Sequence, residues 1–214
     1  TSCVEVDDSV FVMQHFGPTA VGPIGVLNQM DFNQNVTFTS NCNFPSSCFA
    51  PFPASQYTII PDSLFELRLM GMGIDSIHDG YVLKSNIINI DSLDVSNFGI
   101  YDLTGIEDFT NLSYLNCSAN QISNLDLSQN SALSYVDCSN NQINNLLFSQ
   151  KKAQSSLITL ICDQNQIINL DFATITSLAS LSCNNNMLTK LNISNSNNIN
   201  FSFFSAINNP NLNC

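Results

Sequence analysis

Four cysteines set the register of this chain. Cys117, Cys138, Cys162 and Cys183 stand 21, 24 and 21 residues apart, and the residues around each keep one order. The first unit reads Leu112, Leu115, Cys117, Asn120, Ile122, Leu125, Leu127 and the second Leu133, Val136, Cys138, Asn141, Ile143, Leu146, Phe148. Two more follow, Leu157, Leu160, Cys162, Asn165, Ile167, Leu170, Phe172 and Leu178, Leu181, Cys183, Asn186, Leu188, Leu191, Ile193. A unit this short cannot bury its own apolar face, whereas stacked units bury a continuous core. The repeat therefore demands a solenoid. The longer step holds three extra residues, expected in Gln150-Lys151-Lys152-Ala153-Gln154 as a bulge on the convex side.

An earlier, degenerate turn runs Ile90, Leu93, Val95, Phe98, Ile100, Leu103, with Val in the cysteine position and Phe in the asparagine position. A last turn starts near Ile199, with Phe204 read as the cysteine equivalent, which makes about six turns across residues 90–214. The pattern LxxLxCxxNxI/L is that of a leucine-rich repeat. Leu, Leu and Cys alternate on a short inward-facing strand, and Asn turns the chain while serving backbone groups of neighbouring turns. The expectation is a right-handed solenoid with one parallel sheet and few helices. The convex side is too short for an α-helix in each turn, so extended or 3₁₀ segments are expected there. The chain holds 31 Asn, 23 of them after residue 110, as a recurrent Asn turn requires. Asn120, Asn141, Asn165 and Asn186 should form a buried ladder. Cys117, Cys138, Cys162 and Cys183 should line the core about 5 Å apart, a row of free thiols and not a tetrahedral metal site.

Residues 57–89 have another texture. Pro61-Asp62-Ser63-Leu64-Phe65-Glu66-Leu67-Arg68-Leu69-Met70 reads as a short helix with Pro61 in its first turn and Gly71 and Gly73 beyond its end. It should cap the apolar end of the first turn. Residues 43–56 are Pro-rich and read as a linker. Residues 1–42 carry β-rich runs, Val10-Phe11-Val12-Met13 and Asn35-Val36-Thr37-Phe38-Thr39.

The outward strand positions are Ser92, Asp94, Ser96; Tyr114, Asn116, Ser118; Tyr135, Asp137, Ser139; Thr159, Ile161, Asp163; and Ser180, Ser182, Asn184. They form a concave face, the surface on which solenoids meet partners. Tyr114 and Tyr135 should stack as neighbours, and Ile161 adds an apolar centre. The many Ser and Asn are also what a solvated face without a ligand carries.

With a net charge of -12, only Arg68, Lys84, Lys151, Lys152 and Lys190 are available to meet phosphate, which argues against nucleic acid and anionic membranes. No apolar run is long enough for membrane insertion. His15 and His78 lie on unrelated segments, and the chain shows no phosphate loop, Cys-x-x-Cys pair or nucleophile elbow. We therefore expect no catalytic residues, no cofactor and no metal. Glu5, Asp7 and Asp8 are read as exposed acids, with a calcium site near Asp7 and Asp8 as the alternative. The opening at Thr1-Ser2-Cys3 suggests a removed leader or a segment of something longer.

Ile60-Pro61-Asp62-Ser63-Leu64-Phe65, Tyr81-Val82-Leu83-Lys84-Ser85-Asn86-Ile87 and Leu103-Thr104-Gly105-Ile106-Glu107-Asp108-Phe109, with turns such as Leu115-Asn116-Cys117-Ser118-Ala119-Asn120-Gln121-Ile122, resemble leucine-rich arrays in large secreted proteins of the Bacteroidetes. The same turns resemble the cysteine-ladder internalins, and the likeness covers about residues 57–214. It implies type IX export and an extracellular or cell-surface position. Such arrays close with Asn-Pro-x-Leu-x-Cys, then Ile-x-Val-Asp-Asp and a second Cys. Here Pro210-Asn211-Leu212-Asn213-Cys214 and Cys3-Val4-Glu5-Val6-Asp7-Asp8 look like the two halves of that closure, a period of 211 residues. The resemblance thus implies a closing cap in residues 1–42 with a Cys3–Cys42 disulfide, Cys48 being the rival partner. It leaves Cys214 awaiting an equivalent of Cys42. It also brings an O-glycosylation signal, Asp-Ser-apolar, at Ser9, Ser63, Ser76 and Ser92. The resulting expectation is a non-enzymatic structural or adhesive module, spacer or filament block, assembling head-to-tail with copies or adjacent units of the same protein. The alternative is a recognition module that binds a protein or glycan on the concave face.

Overall fold

The computed structural model describes residues 56–149, 156–194 and 201–212, all within one compact unit, Ala54–Cys214. It is a leucine-rich-repeat solenoid built on one parallel sheet. The strands are β3 (Ser92–Asp94), β4 (Tyr114–Asn116), β6 (Tyr135–Asp137), β8 (Thr159–Ile161), β10 (Ser180–Ser182) and β12 (Phe203–Ser205). They pair in sequence order with Leu93, Leu115, Val136, Leu160, Leu181 and Phe204 side by side. Strands of three residues suffice because each turn must point only its central residue and the following Cys or Val inward. The returning side of the turns is extended. There β5 (Asn124–Leu127) pairs with β7 (Asn145–Phe148), and β9 (Asn169–Asp171) with β11 (Lys190–Asn192), all parallel. One 3₁₀ turn, Ile106–Asp108, is found among the described residues. The segment expected to bulge, 150–154, lies outside them.

The Asn column explains why the turns stack. Asn165 Oδ1 accepts the Ile143 amide of the preceding turn at 2.9 Å, and Nδ2 donates to the Cys138 and Cys162 carbonyls at 3.0 and 3.2 Å. Asn120, Asn141 and Asn186 repeat this geometry on Ile100, Ile122 and Ile167. Asn120, Asn165 and Asn186 are buried, whereas Asn141 is half-buried. The residue before each ladder position takes a left-handed conformation, φ 54–60° at Asn97, Ala119, Asn140, Gln164, Asn185 and Asn208. Asn enters this region at lower cost than Ala does. Ala119→Asn is therefore expected to stabilise the protein by about 0.5–1 kcal/mol, read as a raised urea midpoint with an unchanged slope.

The last turn departs from the sequence expectation. Phe204 sits opposite Leu181, so Ala206 and not Phe204 holds the cysteine position. Asn209 then extends the ladder, accepting from the Leu188 amide at 3.1 Å and donating to the Cys183 and Ala206 carbonyls at 2.9 and 3.1 Å.

The cap comprises β1 (Tyr57–Ile59), α1 (Ser63–Gly71), β2 (Tyr81–Leu83), antiparallel to β1, and α2 (Lys84–Ile87). Asp62, and not Pro61, begins α1: it is the N-cap, accepting from the Leu64 and Phe65 amides, and Pro61 precedes it. Phe65 and Leu69, one turn apart, are buried. Arg68 Nε donates to the Asp94 carbonyl at 2.9 Å and its guanidinium lies 4.6 Å from the Phe98 ring centre, so the cap covers the edge of β3. At Gly105 the first turn runs close against the cap. With φ 104°, a β-carbon there would lie 2.7 Å from the Ile59 carbonyl oxygen.

Candidate functional site

The concave face is three rows of side chains, ordered by the sheet register. The first row holds Ser92, Tyr114, Tyr135, Thr159, Ser180 and Phe203; the second holds Asp94, Asn116, Asp137, Ile161, Ser182 and Ser205. Parallel in-register pairing places like positions side by side, so Tyr114 and Tyr135 stack with ring centres 4.8 Å apart and planes 8° from parallel. Neither hydroxyl has a hydrogen-bond partner among the described residues. Burial, then the Asp137 carboxylate and Tyr114, push the Tyr135 phenol above its ordinary range.

The second and third rows are clasped together. Asp94, Asn116 and Asp137 each accept, through Oδ1, both the amide and the hydroxyl of the Ser two residues on. For Asp94, burial raises the pKa, but the two bonds from Ser96 and one from Asn116 outweigh it and hold the carboxyl below its ordinary value. The fourth turn inverts the order, with Ile161 before and Asp163 after the cysteine. Asp163 then reaches across to the next turn, accepting from Asn184 N at 2.6 Å and Ser182 Oγ at 2.9 Å. Asn184 repeats the reach toward Ser205 and Ile207. Ser182 is buried at 7% exposure and committed to Asp163, so it offers a partner little surface. Phe203 and Ile207, at 54% and 64% exposure, extend the face instead. The sequence reading missed them by setting the last turn out of register; Asn209, three residues after Ala206, was the signal.

Behind the sheet, Cys117, Cys138, Cys162 and Cys183 are buried free thiols. Burial, before any neighbouring charge, pushes Cys183 up to about 12 and raises the other three strongly. Thiols held this way are poor nucleophiles and poor metal ligands at neutral pH. No group of three His, Cys, Asp or Glu able to hold a metal occurs among the described residues. Glu5, Asp7, Asp8, Ser9, Cys3, Cys42, Cys48 and Cys214 lie outside them. Ser63, Ser76 and Ser92 are exposed. No described helix is long and apolar enough to cross a membrane.

In the cap, buried Glu66 accepts from the Asp79 and Gly80 amides at 2.6 Å and meets His78 Nε2 at 3.2 Å. Burial, and then Glu66 and Asp75 against a bond from the Tyr81 amide, raise Asp79 from 3.8 to about 6. The folded state therefore holds this proton more tightly than the unfolded one, and stability falls as pH rises from about 4 through about 6. Asp79→Asn keeps an acceptor for Tyr81. It should raise the melting temperature at neutral pH, with the gain vanishing toward pH ~4.

No family profile matches the chain. Over 50 residues it is 44% identical to Internalin J of Listeria monocytogenes serotype 4b (strain F2365), a stretch that is 23% of this chain and 6% of that protein. A solved functional domain of InlJ from the same species, which includes a cysteine ladder, is similar with 24% identity and a TM-score of 0.37, covering 71% of this chain and 48% of that one. The crystal structure of the Listeria internalin InlF is similar with 19% identity and a TM-score of 0.39, covering 62% of this chain and 56% of that one. The chain thus spans about half the length of these solved internalin chains.

Proposed function

We propose that the chain is a non-enzymatic adhesive module of an extracellular protein, holding a partner protein or glycan against the concave sheet. The observation that carries this is the Tyr114–Tyr135 stack, two rings on the outside of the sheet with unpartnered hydroxyls. Around the rings, the Asp, Asn and Ser side chains largely satisfy one another, so the rings are what the central turns offer another molecule. Rigid aromatic anchors in a fixed polar surround are what binding energy concentrates on. Asn116, Asp137, Thr159, Ile161, Asp163 and Asn184 would frame the contact. The test sets the full chain against defined glycan and peptide arrays, beside a variant carrying Tyr114→Ala and Tyr135→Ala. Loss of the hits with unchanged thermal unfolding supports the reading; hits that survive both substitutions end it.

A second reading, a head-to-tail building block, is favoured by the exposure of Phe203, Phe204 and Ile207 at the β12 end. Residues 1–42 of a neighbouring unit, closed by Cys3–Cys42, would cover it. Phe204→Asp with Ile207→Asp should then convert oligomers to monomers in sedimentation. An unsubstituted chain that sediments as a monomer at all concentrations would remove this reading. The resemblance to Bacteroidetes arrays also implies O-linked sugar on Ser9, Ser63, Ser76 or Ser92, which intact-mass measurement of native material would show.

A further inference from the structure

Each ring of the tyrosine pair shields one face of the other. Register sets Ser92 beside Tyr114 and Thr159 beside Tyr135. Neither short side chain can cover a phenol ring. Adjacent strands stand about 4.8 Å apart, so a flat group stacked on Tyr135 sits above Thr159. The row beneath supplies charge. Asp137 uses Oδ1 on Ser139, and its Oδ2 has no partner among the described residues. Asp94, Asp137 and Asp163 lie on the three rows, and no Lys or Arg does.

We infer that the partner of the concave face is a basic protein segment, one of whose arginine side chains continues the ring stack against Tyr135, over Thr159, and pairs with Asp137. The inference rests on the concave-face reading above and names its ligand. A guanidinium is planar and weakly hydrated, stacks on aromatic faces and donates in its own plane to a carboxylate. A lysine ammonium has no plane to stack. A neutral sugar would stack on the ring but cover Asp137 without a countercharge, which is costly. An acidic partner would meet three like charges. The chain's net charge of -12 steers cationic partners toward it.

The test is titration of the full chain, followed by tyrosine fluorescence and ring chemical shifts, with synthetic peptides alternating Gly with Arg, Lys or Glu, and with a neutral maltooligosaccharide. The Arg peptide should bind tightest, and Asp137→Asn and Tyr135→Ala should each weaken it about 10-fold. Asn is tolerated at 137, since Asn116 makes the same clasp in the neighbouring turn. Asp126→Asn with Asp171→Asn, exposed carboxylates of β5 and β9, should leave binding unchanged. Equal weakening by that convex pair, or none by Asp137→Asn, would mean undirected charge attraction and overturn the inference. Should the maltooligosaccharide or the Glu peptide bind in a Tyr135-dependent way while the Arg peptide does not, the concave-face reading stands and the arginine falls. If no probe responds to Tyr135→Ala, both fall.

Discussion

Replacing Asp62 by alanine should cost at least about 3 kcal/mol of unfolding free energy. Its carboxylate is fully buried, and each oxygen takes two backbone amides. Oδ1 accepts from Leu64 and Phe65 at 2.8 and 3.1 Å, which starts α1. Oδ2 accepts from Tyr101 and Asp102 at 2.8 and 3.0 Å, which fastens that helix to the first turn. Removing the side chain takes the acceptor from four amide donors, that of Phe65 buried and the other three partly so. Asp62→Asn keeps one acceptor but turns an amide toward the other pair of donors, so an intermediate loss is expected. Urea unfolding followed by circular dichroism measures both, with Ser63→Ala as the exposed control. A loss below about 1 kcal/mol would show that the cap is held some other way.

Asn165→Leu is the second large effect, about 2–3 kcal/mol. The substitution leaves the Ile143 amide without an acceptor inside the stack and takes one donor from each of the Cys138, Cys162 and Asp163 carbonyls, which keep Asn141 Nδ2, Asn186 Nδ2 and the Asn140 amide. Asn141 makes the same set of bonds but is half-buried, so water replaces part of what leucine removes. Asn141→Leu should cost less, about 1–2 kcal/mol. The order of the two variants in one denaturation series is the check; equal losses would mean that burial does not set the value of a ladder position.

Spacing made the stacking of turns readable, because each turn repeats the same residue types and parallel pairing transmits register without slippage. Tyr114 and Tyr135 are neighbours by that arithmetic alone. The last turn is harder to read because Phe204 stands two residues ahead of the cysteine position, although Ala206 and Asn209 keep the interval of Cys183 and Asn186. The inverted order of Ile161 and Asp163 was visible, but its effect was not: only register shows that a carboxylate after the cysteine serves the following turn. The double role of Asp62 was likewise out of reach. Its second pair of donors are main-chain amides some forty residues ahead, and a backbone amide has no letter in a sequence.

The hydrogen bonds between β3, β4, β6, β8, β10 and β12 all run along the axis of the stack. A pulling force along that axis loads them one turn at a time, as in a zipper, where a sheet pulled along its strands would load them all at once. Arg68 and Asp62 fasten the β3 turn to the cap, so that junction has side-chain bonds to break besides those of the sheet. Each 21-residue turn that comes free adds about 70 Å of slack. A stack of this kind yields to a tug by lengthening in steps, and the tyrosine pair on β4 and β6 stays stacked for as long as those two neighbouring turns remain paired.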